Sequence, residues 1–344
     1  MKLDTSMPAL QEVLYDSTDS VLEDRVHLRL NDGGDGRCLL SRELIRGDGI
    51  RFRQAIDIAS SATLYDFATS DPYAAILRGR YDALLRLIEA RKSPRLLPSL
   101  TVEGAIGAID RVSDCQTEGE LLQTVRSIVR CLGASQFVYQ WLRFEGASVD
   151  DTDAVESRYL IGCRPSWMQQ YVARMWFMND PFVTYARTSA APALSSGIHV
   201  HRADHWLVTE GRSQGFNSGI VAPAHLRGSG LVGLLFVSNP ESPATGDPKL
   251  WQHRVLFRAL SSELLDWRVV QLRREASATY GLSESELLAL KTLHDGGMAE
   301  HVAERLGISK NSVYQRVYRS IDNKMGVAHI ADAVEKASAL GLLD

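Results

Sequence analysis

Apolar positions along this chain change their spacing more than once, and each change predicts a different kind of element. In "YDALLRLIEARK" (81–92), Leu84, Leu85, Leu87 and Ile88 share one helical face, and the pattern stops at the proline-containing "SPRLLPS" (93–99). Such a face ordinarily packs inside its own domain. With Gly-rich, acidic stretches such as "NDGGDGR" (31–37), this segment reads as an N-terminal extension, 1–100, mostly helical. From residue 101 helix and strand spacings alternate. "LLQTVRSIVRCLG" (121–133) is an amphipathic helix stopped by Gly133, and "QFVYQWLRF" (136–144) is an aromatic, β-branched strand. "SGIVAPAHL" and "LVGLLFVS" flank "RGSG" as a hairpin, and a long helix is expected over 247–274, with Asp247 near its start. This order predicts a sheet covered by helices on both faces over 101–274, an α/β/α sandwich. After a linker at 275–279, residues 280–344 carry four helical patterns, one opened by a capping box from Ser283 to Glu286. The fold class expected is α+β, the sandwich followed by an all-α four-helix domain.

Composition narrows this picture without redirecting it. A length of 344 residues allows two or three domains, and 45% hydrophobic with 23% charged residues is that of a soluble globular protein. No apolar run is long enough for a membrane span, and "MKLDTSMPALQEVLYDSTDS" has no export pattern, so the expected location is the cytoplasm, with no membrane partner. Cys38, Cys115, Cys131 and Cys163 lack the spacing of a disulfide framework or a zinc site. There is no GxSxG elbow, HxxxH motif, CxxC pair or phosphate loop, and "HVHRADH", with His199, His201 and His205, is the one histidine cluster. Neither catalysis nor a metal nor a cofactor is expected. A net charge of −4 argues against indiscriminate nucleic-acid binding and leaves room for a local basic surface.

That surface is sought on the third C-terminal helix, "KNSVYQRVYRSIDNKMG", which Ser309 can cap. Val313, Val317 and Ile321 recur at four-residue intervals as an inward face, which places Asn311, Gln315, Tyr318 and Arg319 outward, flanked by Lys310, Arg316 and Lys324. Amide and phenol groups can address base edges and the cations can meet phosphates. The same residues could simply be the solvated side of a small bundle. The stretch "LSESELLALKTLHDGGMAEHVAERLGISKNSVYQRVYRSIDNKMGV", however, resembles the DNA-binding domain of the LuxR family, with Glu286, Leu290 and Gly296 at its spacing and "VAERLGISKNSVYQRV" as its helix-turn-helix. The resemblance implies double-stranded DNA as partner and Lys310, Asn311, Ser312, Tyr314, Gln315, Arg316, Tyr318 and Arg319 as its contacts. Because the whole segment is slightly acidic, stable binding should require a dimer.

Upstream, "WMQQYVARMWFMNDP" (167–181) sets Trp167, Tyr171, Asp180 and Pro181 in a W-x3-Y-x8-D-P pattern, and Gly219 follows in "GFNSGIVAP". This resembles the autoinducer-binding domain of quorum-sensing LuxR-type regulators. It implies a ligand site of Trp167, Tyr171, Asp180 and Gly219 for an N-acyl homoserine lactone or related signal. The chemistry agrees: the indole only donates, which suits the ring carbonyl, and an ionised Asp only accepts, which suits the amide N–H. The Tyr171 hydroxyl is expected on an acyl carbonyl, with Phe137, Tyr139 and Leu160 as apolar wall. The residues also allow a purely structural reading, with Trp167 and Tyr171 in a core and Asp180 capping the next helix before Pro181 at its first position. Both roles can coexist. Cys163 and Ser195 stand where the family commonly has a Tyr and a Trp, and Trp206 does not restore that register. The whole resemblance implies a homodimeric transcription regulator, with RNA polymerase as a further partner and residues 247–274 and 329–341 as dimer contacts. The alternative is a ligand-independent regulator, or an anti-activator that forms heterodimers with a related chain.

Overall fold

The computed structural model describes residues 15–18, 24–32, 37–89, 99–144, 154–200, 205–226, 230–340 and 342–343. The residues 33–36, most of 93–99, the hairpin turn 227–229 and His201 lie outside them, as does the side chain of His205. Two compact units form, one of residues 1–225 and 231–265, the other of 226–230 and 266–344.

The N-terminal residues correct the helical expectation. Strands β1 (Tyr15–Thr18), β2 (Arg25–Asp32), β3 (Cys38–Ile45) and β4 (Arg51–Ile58) form an antiparallel meander. The signal was a two-residue alternation: Val26, Leu28 and Leu30 turn inward, as do Phe52, Ile56 and Ile58. Buried Arg42 and Gln54 interrupt that alternation with polar residues and hide it. Helices α1 (Ser61–Ser70) and α2 (Ala74–Glu89) fold back over the meander, burying Leu64, Phe67, Leu77, Tyr81, Leu84 and Ile88. Leu85 is only partly buried and Leu87 is exposed, so the inward stripe recurs at three and four residues rather than as a block. Where α1 ends, Asp71 meets Arg42 through Nη2 at 2.9 Å and Nε at 3.0 Å, and accepts from the Tyr81 hydroxyl. Arg42 is 1% exposed and thus wholly desolvated.

Nor is the extension a separate domain. After α3 (Val102–Asp110) and α4 (Glu118–Cys131) come β5 (Gln136–Phe144) and β6 (Ala154–Ile161), and β4 pairs in parallel with β6 from Arg51↔Glu156 to Ile56↔Ile161. The result is one nine-stranded sheet, in which β7 (Ala193–Leu194), β8 (Ser218–His225) and β9 (Leu231–Asn239) complete the order β1-β2-β3-β4-β6-β5-β9-β8-β7. One face carries α1, α2 and α5 (Pro165–Ala173), which share a hydrophobic core with it. Against the same sheet, α6 (Pro181–Thr188) packs on Val221, Val232 and Leu234. α7 (His205–Ser213) adds Leu207 to the core. The opposite face carries α4, whose Arg126 reaches Asp57 at 3.2 Å. The expected long helix is two, α8 (Pro243–Trp251) and α9 (Arg254–Tyr280). A Ser/Asp-Pro start signal occurs twice, at Ser242–Pro243 and Asp247–Pro248, and the chain uses the first. From α9, the carbonyls of Ser261 and Leu264 accept from the Tyr139 hydroxyl at 2.7 Å and the Trp141 indole at 3.0 Å.

In the second unit α9 continues through 275–279, which therefore are helix and not a linker; "REASATY" contains no Gly or Pro to stop it. α10 (Glu284–His294), α11 (Ala299–Leu306), α12 (Lys310–Ser312), α13 (Arg319–Met325) and α14 (Ile330–Ala339) bury Leu290, Val302, Val313, Ile321, Ala333 and Ala337 together. α11 closes on left-handed Gly307 at φ 67°, and the Ser309 hydroxyl accepts from Ser312 N at 3.2 Å.

The capping-box residue Glu286 also binds the unit together. It accepts from Ser283 N and Lys324 Nζ, both at 2.7 Å, and from the Ser320 hydroxyl at 2.6 Å. Burial alone would push this carboxyl up, but the bonds from Lys324, Ser283 and Ser320 outweigh it and hold the pKa at about 2. A depressed carboxylate stabilises the fold fully above its unfolded value and loses that stabilisation as pH falls through the folded value. Stability of this unit is therefore expected to fall from about pH 4.5 to about pH 2. Helical circular dichroism in denaturant across that range should show the loss in the native chain and a flatter profile in Glu286→Gln.

Candidate functional site

Helix α5 starts with Pro165 at its first turn and turns Trp167, Met168 and Tyr171 toward a cavity of about 670 Å³ on the sheet. A turn follows in which Met175 adopts a left-handed φ of 53°, the one non-glycine residue with positive φ among the described residues. That turn brings Asp180 back beside Tyr171. Asp180 then caps α6: its Oδ1 accepts from Phe182 N at 2.7 Å, with Pro181 at the first helical position. Its Oδ2 accepts from the Tyr171 hydroxyl at 2.6 Å. The structural and the pocket-lining placements of Asp180 thus coincide.

This geometry revises the expected part of Tyr171. Its single hydroxyl proton goes to Asp180, so it could donate to an acyl carbonyl only by giving up that carboxylate. Burial first, and then the negative charge of Asp180, push the phenol well above its ordinary pKa, so the proton stays. Trp167 lies against Trp176 and Phe216, with ring centroids at 5.3 and 6.4 Å, and its indole N–H makes no hydrogen bond to a described residue. A donor thus stands open near a buried acceptor pair, within an apolar wall.

The wall itself differs from expectation. Phe137, Tyr139 and Leu160 do not line the cavity; Val138 and Gln140 do, together with Phe182 and Phe236. Side chains alternate along a strand, so choosing the neighbouring position selects the opposite face, and Tyr139 is accordingly tied to α9. Gln140, which is buried, was not anticipated: an amide inside "FVYQWL" carries no motif to single it out. Gly219 does not line the cavity either. A Cβ there would stand 2.6 Å from the Phe236 ring, so Gly219 acts by admitting Phe236, which does line it.

Ser195 lines the cavity where a larger side chain would fill it, and its neighbour Ser196 donates to buried Asp247 at 2.6 Å. Cys163 stays outside, its thiol pushed up to about 12 by burial. Trp206 is half-exposed and packs edge-on to Trp176 at 4.6 Å, which stands between it and Trp167.

The C-terminal residues divide as well. Asn311, Tyr314, Gln315, Arg316 and Arg319 are exposed, Ser312 is half-buried, and exposed Lys310 pairs with Glu300. Tyr318 is 7% exposed and packs edge-on to Tyr314 at 5.3 Å. Its inward position follows from a wide turn over Val313–Tyr318, with hydrogen bonds of the i to i+5 kind. In that register Tyr318, five residues after Val313, shares its inward face, whereas α-helical spacing placed it outside.

Residues 117–267 match the family of the autoinducer-binding domain. That match covers less than half of the chain. The chain is 25% identical over 190 residues, 54% of its length and 75% of the relative's, to the transcriptional activator protein PhzR of Pseudomonas fluorescens. Among solved structures it is similar to SdiA of Escherichia coli (18% identity, TM-score 0.46, covering 70% of this chain and 98% of that one). It is also similar to CepR2 of Burkholderia cenocepacia, an N-acylhomoserine lactone-dependent LuxR family factor (16% identity, TM-score 0.37, covering 46% and 89%). Among the described residues no His, Cys, Asp and Glu are grouped to hold a metal ion, and no helix is long and apolar enough to cross a membrane.

Proposed function

We propose that the protein is a cytoplasmic, homodimeric transcription regulator that binds double-stranded DNA under control of an N-acyl homoserine lactone or similar signal. The observation that carries the reading is the open Trp167 donor beside the buried Asp180 acceptor inside one apolar cavity. Trp167 would donate to the ring carbonyl. Asp180 would take the amide N–H beside the bonds it accepts from Tyr171 and Phe182, since an ionised carboxylate offers about four lone-pair sites. Tyr171 would orient Asp180, and the acyl chain would lie along Val138, Phe182 and Phe236, each buried CH₂ contributing about 0.8 kcal/mol. Lys310, Asn311, Tyr314, Gln315, Arg316 and Arg319 form the exposed face proposed for DNA, with Ser312 at its edge; helices α9 and α14 are the proposed dimer contacts, and RNA polymerase a further partner.

Quenching of tryptophan fluorescence by lactones of graded chain length tests the signal. Saturable binding is expected, weakened about tenfold in Trp167→Phe, which keeps a ring and loses the donor. Selection from random duplexes tests the DNA claim, and failure to enrich a two-half-site sequence would overturn it. One observation favours a second reading, in which the regulator works without a signal or as a heterodimer: Asp180 already has protein donors in Tyr171 and Phe182, so the pocket can fold unfilled. Absence of binding by every lactone, with DNA selection intact, would decide for it.

A further inference from the structure

Behind α5 lies a second cavity, of about 410 Å³, walled by β3 and β4 of the N-terminal extension, by Asp24 ahead of β2, by Pro72 and Tyr73 between α1 and α2, and by the face of α5 that turns away from Trp167 and Tyr171. Its lining carries acceptors and donors together. Asp24, buried, is held in place by Gly47 N at 3.0 Å and by the Tyr73 hydroxyl. Gln169 is 1% exposed and its side-chain oxygen has no hydrogen-bond partner, although it lines the cavity. A buried carbonyl left in this state is costly, which points to a donor that belongs there.

The cavity also holds a cation. The Arg46 guanidinium lines the cavity, touched on one side by exposed Asp48 at 3.2 Å and on the other by the Met175 sulfur. Arg42 also lines it, but Asp71 neutralises that charge bidentately. Leu44, Phe52 and Val172 supply apolar wall. A carboxylate and an amide oxygen lining one cavity with a guanidinium and apolar side chains match a molecule that carries an ammonium and a carboxylate on one carbon beside a small apolar side chain.

We propose that this cavity is a second ligand site, for a small zwitterion of the amino-acid type: its ammonium on Asp24 and Gln169, its carboxylate on Arg46. The site does not depend on which signal fills the first cavity. It shares α5 with it, and through Arg46 it touches the Met175 turn that sets Asp180 beside Tyr171.

Thermal unfolding of the full chain with each standard amino acid in turn, at millimolar concentration, tests the proposal. One or a few related amino acids are expected to raise Tm by about 3–6 °C near saturation. The rise should vanish in Asp24→Asn and in Arg46→Met and persist in Asp180→Asn, which alters the first cavity alone. Arg46 is partly exposed, so its variant remains informative if Asp24→Asn does not fold. The proposal is overturned if no amino acid raises Tm, if the rise survives Arg46→Met, or if it is lost in Asp180→Asn.

Discussion

Asp180→Ala is expected to lower unfolding free energy by about 2–4 kcal/mol and to abolish lactone binding. Loss of the cap on α6 costs about 1 kcal/mol, because Phe182 N loses its acceptor. Loss of the partner to the buried Tyr171 hydroxyl costs a further 1–3 kcal/mol or so. Asp180→Asn separates the two parts: its amide oxygen can still cap, while the charge that would hold a ligand N–H is gone. For Asn, whose Nδ2 takes the place of the oxygen that accepts from Tyr171, a loss of about 1–3 kcal/mol without the cap's share is expected, with lactone binding weakened at least tenfold. Denaturant unfolding and fluorescence titration of both variants check this. Unchanged lactone affinity in Asn would place the ligand elsewhere.

Asp71→Ala should be the more damaging change to the fold, at about 3–5 kcal/mol, although it lies far along the chain from the signal motif. Arg42 is 1% exposed and both of its bonds to Asp71 are lost at once, which leaves a guanidinium desolvated without its counter-charge. The Tyr81 hydroxyl also loses its acceptor. Because the charge, and not the pairing as such, is the costly element, Arg42→Met combined with Asp71→Leu should recover much of the loss. Tm of the single and double variants measures it. A drop of roughly 10 °C in Asp71→Ala, partly reversed in the pair, is expected. If Asp71→Ala unfolds like the native chain, the meander and α1 are not part of the cooperative core.

Local signals in the sequence were largely reliable where one residue's chemistry decides. Ser283 and Glu286 cap α10, Asp180 caps α6, and β5 spans Gln136–Phe144 as its aromatic, β-branched run suggested. That Trp167, Tyr171 and Asp180 share one cavity was legible by spacing, since four residues along α5 and a turn beyond it suffice to bring them together. Its wall was not legible. Val138 and Phe137 are equally apolar neighbours, and only the pairing of β5 with β6 and β9 says which face each takes.

Three outcomes needed the tertiary structure outright. The extension joins the main sheet because β4 finds β6 across about a hundred residues of chain, a long-range pairing with no local mark. Tyr318 turns inward because a wide turn after Val313 rotates everything beyond it, and helical spacing counted in sequence assumes no such turn. Gln169 and Asp24 face a common cavity only once that sheet is assembled. The sequence by itself determined the caps, most element types and the grouping of Trp167, Tyr171 and Asp180, because those depend on groups within a turn or two of one another. Which face each strand buried, and what the first hundred residues became, was decided by packing between distant segments.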